Sequence, residues 1–231
     1  VVLSPGPTLD VLGERDGREF INATAPHYPT SGELLATTVN VTAPEQRLRL
    51  REVLQAWVRA DQAVRPRRSV FGDAESTDEV MSGATAEFDR SERDAVLAGL
   101  AETGWTGSPD DPPVTLGSLG EVGGPSAGLL IALGVVDTLT PGSLTGGEIV
   151  AGTGTVSRTG EVGPIDGIQQ KILGARAAGA GLFLVPADNC ADALGADPGA
   201  MRLARADSLT DAVGVITDWV EDPEAALPSC S

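Results

Sequence analysis

Lysine is almost absent from this chain: its 231 residues contain 15 arginines but a single lysine, Lys171. Aromatic residues make up only 3%, so the core must be built mainly from Val, Leu, Ile and Ala. No apolar run reaches the roughly 18 residues that a membrane-spanning helix needs. The phosphate-binding pattern Gly-x-x-x-x-Gly-Lys-[Ser/Thr] is also missing, which excludes a P-loop ATPase module from these residues.

Metal-ligating residues are equally few. The single histidine, His27, and the two cysteines, Cys190 and Cys230, do not have the spacing of a metal site. We therefore expect no metal and no cofactor. The two cysteines either form one disulfide, as in an oxidising compartment, or remain two unpaired thiols.

The charge balance is strongly acidic, with a formal net charge of −17. This charge argues against nucleic acid and against anionic membrane surfaces as partners. Hydrophobic residues make up 41%, an ordinary share for a globular protein, and the length provides ample sequence for a core.

Strands alternate with helices along the chain, which predicts an α/β or α+β fold. We expect a short strand over 1–3 that the run 4–7 breaks, and a better strand over 33–41. A helix is predicted from Pro44, with an apolar face formed by Leu48, Leu50, Val53, Leu54, Trp57 and Val58, and the basic run 65–68, a solvated turn, ends it. Further helices are predicted over 76–103, 126–139 and 168–178, with strands over 114–122, 148–156 and 181–186. The Gly- and Pro-rich segment 104–113 is the most linker-like part of the chain.

A serine lies in a glycine-rich turn where a helix begins, in the run Gly-Gly-Pro-Ser-Ala-Gly over 123–128. Unpaired backbone N–H groups gather at a helix start, and they can stabilise an oxyanion that forms on a carbonyl near Ser126. A serine needs a neighbouring base to become a nucleophile. The alternative is an ordinary helix N-cap.

Lys171 follows Ser126 by 45 positions and is surrounded in sequence by apolar residues, among them Ile168 and Ile172. Burial lowers the pKa of a lysine, and only the neutral amine can accept a proton. Thr153, which we expect within a strand, can offer its hydroxyl to this amine. The alternative for Lys171 is a surface lysine on an amphipathic helix, and the alternative for Thr153 is a threonine present for its β propensity. A GC-rich genome explains why lysine is rare in the chain but not why the single lysine is found at this position.

Several separate blocks resemble the proteolytic domain of Lon proteases over roughly residues 115–195. They are Gly-Pro-Ser-Ala-Gly at 124–128, Thr-Gly at 153–154, Gly-Glu-Val-Gly-Pro-Ile-Asp-Gly at 160–167, Lys-Ile-Leu-Gly-Ala at 171–175, Gly179 and Leu-Val-Pro-Ala-Asp-Asn at 184–189. The resemblance implies a compact α/β (α+β) domain of the ribosomal-protein-S5 domain-2-like type.

The resemblance also implies roles for individual residues. Ser126 is then the nucleophile and Lys171 the general base, while Thr153 places the amine and Gly124 and Ala127 support the serine turn. The family has a glutamate two positions after the threonine. This chain has Thr155 there, so no role of that acid is carried over.

The same resemblance suggests the domain organisation. We interpret 1–231 as a single Lon-like catalytic domain, with N-terminal strands and helices over 1–104, a linker over 105–113 and the Ser-Lys core over 114–231. The chain is most similar to the membrane-anchored, PDZ-containing Lon-like proteases of Gram-positive bacteria, whose PDZ domain would be inserted at 105–113. Here the PDZ domain is missing, which we interpret as truncation or loss.

Two further expectations follow from that family. The parent protein would lie at the extracytoplasmic face of the cell membrane and touch the membrane only through an N-terminal helix absent here, while this chain itself would be soluble. Its partners would be peptide or unfolded-protein substrates and, as in the family, other copies of itself in a hexamer.

The predicted function is an ATP-independent serine endopeptidase that works through an acyl-enzyme. One alternative is a non-catalytic Lon-fold protein that binds peptides or acts as a scaffold. Another is a small-molecule kinase of the S5-like fold that holds phosphates on the loop 123–128, although this leaves Lys171 and its surrounding block unexplained.

Overall fold

The structure is a computed structural model that describes residues 1–15, 17–117 and 125–230, with the backbone alone described at 15 and over 81–87. Helices and strands alternate through these residues. The strands are β1 Val2–Asp10, β2 Glu14–Arg15, β3 Arg18–Glu19, β4 Ile21–Ala23, β5 Glu33–Val41, β6 Ala63–Val64, β7 Val114–Leu116, β8 Ile149–Gly152, β9 Thr155–Val156, β10 Val162–Gly163, β11 Leu182–Pro186 and β12 Arg202–Ala206. The α-helices are α1 Leu50–Val58, α2 Arg67–Phe71, α3 Thr77–Glu102, α4 Gly128–Leu139, α5 Ile168–Ala177, α6 Cys190–Ala193 and α7 Leu209–Glu221.

A six-stranded sheet in the order β12-β11-β8-β5-β1-β6 forms the centre of the described part of the chain. The four strands β5, β8, β11 and β12 run parallel, and β1 is antiparallel to both of its neighbours. Parallel strands need both faces covered, and helices cover them here. The α/β (α+β) prediction is therefore confirmed.

The sheet separates two hydrophobic cores because neighbouring residues of a strand point to opposite faces. Leu34 and Leu184 pack with α3, α4 and α7 in the larger core. Leu35 and Phe183, one position away in each strand, pack with α5 and α6 in the smaller core. The two cores hold the start of α4 and the helix α5 on opposite sides of the same strands.

Helix α4 is buried on almost all sides, as expected for a helix without a polar face. It lies between the sheet and α3, and Gly99 of α3 permits the close approach of these two helices. A Cβ atom at Gly99 would lie only 2.7 Å from the carbonyl oxygen of Ala132. The beginning of α4, where the candidate nucleophile lies, is therefore attached to a rigid element.

Three predicted boundaries were wrong. Strand β1 continues through Pro5 to Asp10, because a register shift between Pro5 and Thr8 accommodates the prolines. The helix predicted from Pro44 begins only at Leu50. The run at 65–68, interpreted as a turn, contains the start of α2. For β1, pairing with the distant strand β5 overrides the local proline signal.

The cysteines, for which the sequence leaves two alternatives, form a disulfide. Cys190 at the start of α6 is bonded to Cys230 in the C-terminal tail, with their Cα atoms 4.9 Å apart. The bond attaches the tail to the smaller core, which Cys190 and Cys230 both contact. Among the described residues, no helix combines the length and the apolar character that crossing a bilayer requires.

Candidate active site

Ser126 lies in a short 3-10 turn, Pro125–Ala127, that leads into α4. The turn is held from both directions by hydrogen bonds. The carbonyl oxygen of Ser126 accepts one from Gly154 N at 2.9 Å, and Ser91 Oγ donates one to the carbonyl oxygen of Pro125 at 3.1 Å. The prediction that α-helix starts at Ser126 was two residues early, but the serine does precede the helix.

Thr153 connects the serine turn to the lysine. Its hydroxyl donates a hydrogen bond to the carbonyl oxygen of Ser126 at 3.0 Å and accepts one from Lys171 Nζ at 2.9 Å. The side chain is fully buried. The predicted strand over 148–156 is interrupted here, since Thr153 lies between β8 and β9 rather than within a strand. This break places the hydroxyl between Ser126 and Lys171.

Lys171 is the fourth residue of α5, so it points back towards the start of its helix. The N-cap of this helix is Gly167, which has a φ of 73° and lies against Val39 of β5. A Cβ atom at Gly167 would lie 2.8 Å from Val39 Cγ2, so a glycine is required there on both grounds. The lysine side chain is only 3% exposed.

Burial lowers the pKa of Lys171 to about 7, and the negative charge of Asp166 partly opposes this shift. Desolvation penalises the ammonium form, and the hydroxyl of Thr153 replaces little of the lost hydration. A substantial fraction of the amine is therefore neutral near neutral pH. A neutral amine with this pKa is suited to act as a general base.

One cleft of about 610 Å³ contains both Ser126 and Lys171 in its lining. Strand β5 forms one wall, while Val70 and Phe88 line it from α2 and α3. Within the described residues, Ser126 Oγ and Lys171 Nζ make no direct hydrogen bond, and Thr153 joins the amine to the backbone carbonyl oxygen of Ser126. Catalytic contacts of this kind often tighten only when substrate is bound.

Of the supporting residues, Ala127 closes the 3-10 turn and is buried. Gly124 lies outside the described residues. Thr155, where the Lon family has glutamate, lies in β9 and lines the cleft with its short side chain. Across the described ranges, no three His, Cys, Asp or Glu side chains are grouped so that they could hold a metal ion.

Asn189 is a positioning residue that the sequence reasoning missed. Its side-chain amide donates to the carbonyl oxygen of Ile165 and accepts from Ile165 N, both at 2.9 Å. Ile165 lines the cleft and precedes the start of α5, so this pair of bonds fixes the segment that leads to Lys171. The only signal was its place in the resembling block at 184–189, because its partners are backbone atoms and leave no mark on the sequence.

A serine at a helix start and a buried amine on one cleft are the groups that a serine hydrolase with a lysine base needs. Residues 117–203 match the family model of the Lon protease (S16) C-terminal proteolytic domain. This part of the chain, which carries Ser126, Thr153 and Lys171, is thus similar to the proteolytic domain of Lon proteases, a family of peptidases.

Two curated relatives agree with this match. Lon protease 1 of Sorangium cellulosum is 44% identical over 69 residues, which is 30% of this chain and 8% of that protein. Lon protease 2 of Herpetosiphon aurantiacus shows the same identity over the same shares. The similarity therefore spans a small part of these relatives.

Proposed function

We propose that the chain is an ATP-independent serine endopeptidase in which Ser126 is the nucleophile and Lys171 the general base. The observation that supports this most strongly is the environment of the lysine. Its amine is buried, its pKa is lowered to about 7, and it is hydrogen-bonded to a threonine whose hydroxyl in turn binds the serine turn. A structural lysine gains nothing from such desolvation, whereas a base requires it.

The proposed reaction has two steps. In the first, neutral Lys171 Nζ takes the proton of Ser126 Oγ as that oxygen attacks the peptide carbonyl, and it then passes the proton to the departing amine. Backbone N–H groups at the start of α4 stabilise the oxyanion. In the second, Lys171 removes a proton from water as the water attacks the acyl carbonyl, and it returns that proton to Ser126 Oγ when the bond between Oγ and the acyl carbon breaks. Thr153 keeps the amine directed towards the serine in both steps.

The substrate we propose is an extended peptide or a segment of unfolded protein. Strand β5 pairs with β8 only as far as Ala36, opposite Gly152. Beyond this pair, within the described part of the chain, the 37–41 stretch of β5 has no partner strand on its β8 side, and residues 37–40 line the cleft. An extended peptide can add to such an edge through backbone hydrogen bonds.

We also propose that the parent protein is anchored in the cell membrane, lies at its extracytoplasmic face and assembles as a hexamer. Its PDZ domain would be inserted at 105–113. The support is the resemblance to the membrane-anchored Lon-like proteases together with the disulfide between Cys190 and Cys230, since disulfides persist in oxidising compartments. Independence from ATP is proposed for these 231 residues by themselves, which contain no P-loop pattern.

A peptidase assay on unfolded casein and a fluorogenic peptide library tests the proposal. We expect Ser126→Ala to lower kcat/KM by about 10⁴-fold or more and Lys171→Met to lower it comparably. Ser108→Ala, an exposed serine in the linker, is the matched control and should retain full activity. Full activity in Ser126→Ala would contradict the proposal. Binding of peptides without cleavage by the wild type would favour a scaffold, and phosphorylation of a small molecule from ATP would favour a kinase.

A further inference from the structure

Helix α1 carries an apolar face that points away from the protein. Leu50, Leu54, Trp57 and Val58 are 74%, 50%, 75% and 86% exposed, whereas Ala56 on the other side is buried. At about 100° per residue, the four exposed side chains span an arc of about 100°. The sequence predicts an apolar face on this helix, but the usual place for such a face is the core.

These four residues account for most of the large exposed hydrophobic side chains in the described residues. The others are Tyr28, Val41 and Leu194, which come from three different parts of the chain. A second copy therefore offers no comparable apolar patch elsewhere on its described surface against which α1 can pack. Contiguous exposed apolar patches mark sites of interaction.

The surroundings of α1 are basic in an acidic protein. Residues 47–68 contain seven arginines and two acidic residues, a local net charge of +5, whereas the whole chain carries −17. Arg47, Arg49 and Arg51 are exposed and, among the described residues, have no carboxylate within salt-bridge distance. Two copies that paired through this face would bring two regions of net positive charge together.

We propose that the face formed by α1 and its flanking arginines, residues 47–68, docks on the surface of an anionic lipid bilayer. The four apolar side chains would enter the boundary between headgroups and acyl chains, with Trp57 at the depth that indole prefers. The arginines would reach anionic headgroups around them. The net charge of the whole chain argues against such a surface, but the local charge of this face favours it. The proposal is independent of the peptidase activity.

Co-sedimentation with vesicles tests the docking. The full chain is mixed with vesicles of phosphatidylcholine alone and with vesicles that contain about one third phosphatidylglycerol. We expect binding to the anionic vesicles, together with a blue shift of tryptophan fluorescence that is lost in Trp57→Phe. Removing three arginines in Arg47→Gln/Arg49→Gln/Arg51→Gln should weaken binding roughly a hundredfold, at about fivefold for each charge.

Matched variants separate the face from the rest of the surface. Leu54→Gln/Trp57→Gln should weaken binding roughly tenfold or more, because both side chains leave water on docking. Leu194→Gln, which changes a leucine elsewhere that is 62% exposed, should bind like the wild type. All of these positions are exposed, so each variant should keep the wild-type melting temperature.

Three results would overturn the proposal. The first is no binding to anionic vesicles, and the second is equal binding to neutral and anionic vesicles. The third is self-association by light scattering that the Leu54→Gln/Trp57→Gln variant abolishes, which would show a second copy rather than a bilayer on this face.

Discussion

Replacing Lys171 by methionine should change how the stability of the protein depends on pH. Methionine fills a similar volume without a charge. In the folded protein, burial lowers the pKa of Lys171 to about 7 from its ordinary value of 10.5. The unfolded state therefore binds more protons than the folded state between these two values, and the stability of the wild type must rise with pH across that window. Below a pH of about 7, the full cost of the buried lysine is present.

The size of the effect follows from the shift. A displacement of this size amounts to about 4 kcal/mol of destabilisation near neutral pH, and about 2 kcal/mol of it should disappear between about pH 7 and about pH 9. At neutral pH, the free energy of unfolding should thus be higher for the methionine variant than for the wild type. The lost hydrogen bond to Thr153 reduces this gain by about 1 kcal/mol. The variant's advantage over the wild type should shrink as the pH rises.

Urea unfolding of both proteins at several pH values measures this difference. Subtracting the two curves removes the titration of all groups that the proteins share. Arg51→Met, at an exposed position, is the control and should show no pH-dependent difference from the wild type. If the difference in the free energy of unfolding between the wild type and Lys171→Met stays constant from about pH 7 to about pH 9, burial does not lower the pKa of Lys171 as proposed.

Three further changes have defined outcomes. Asp166→Asn removes the charge that raises the pKa of Lys171, so the acid limb of the kcat/KM profile should move to lower pH; an unmoved limb would contradict the electrostatic coupling. Thr153→Val removes the acceptor of the amine and should lower kcat/KM by about 10²-fold, while Thr153→Ser should restore most of the activity. Cys190→Ser/Cys230→Ser opens a crosslink between residues 40 positions apart and should lower the free energy of unfolding by about 4 kcal/mol in urea titrations; an unchanged midpoint would mean that the bond does not constrain the chain.

The sequence predicts best those features that depend on residues close together in the chain. The spacing of Ile168 and Ile172 predicts a buried face on α5, and the structure buries both together with Lys171. The glycine-rich turn predicts a helix start at Ser126, which the structure shows two residues later as α4. Thr153 was expected near the amine, and its hydroxyl does accept a hydrogen bond from Lys171.

The rest depends on contacts between distant parts of the chain. The break between β8 and β9 arises because Thr153 and Gly154 bond to the turn of Ser126, which no local propensity encodes. Periodicity predicts that α1 has an apolar face but not whether that face meets the core or solvent. The two bonds of Asn189 end on backbone atoms, so no residue type reveals them.

The most direct test of the central claim is covalent labelling of Ser126 by a fluorophosphonate as a function of pH. We expect intact-mass and peptide-mapping measurements to place one adduct on Ser126, at a rate that rises with pH through the pKa of Lys171 near 7. Lys171→Met should remove both the rapid labelling and its pH dependence. An adduct on another serine, or an equal rate of labelling in Lys171→Met, would contradict the assignment of the lysine as the base.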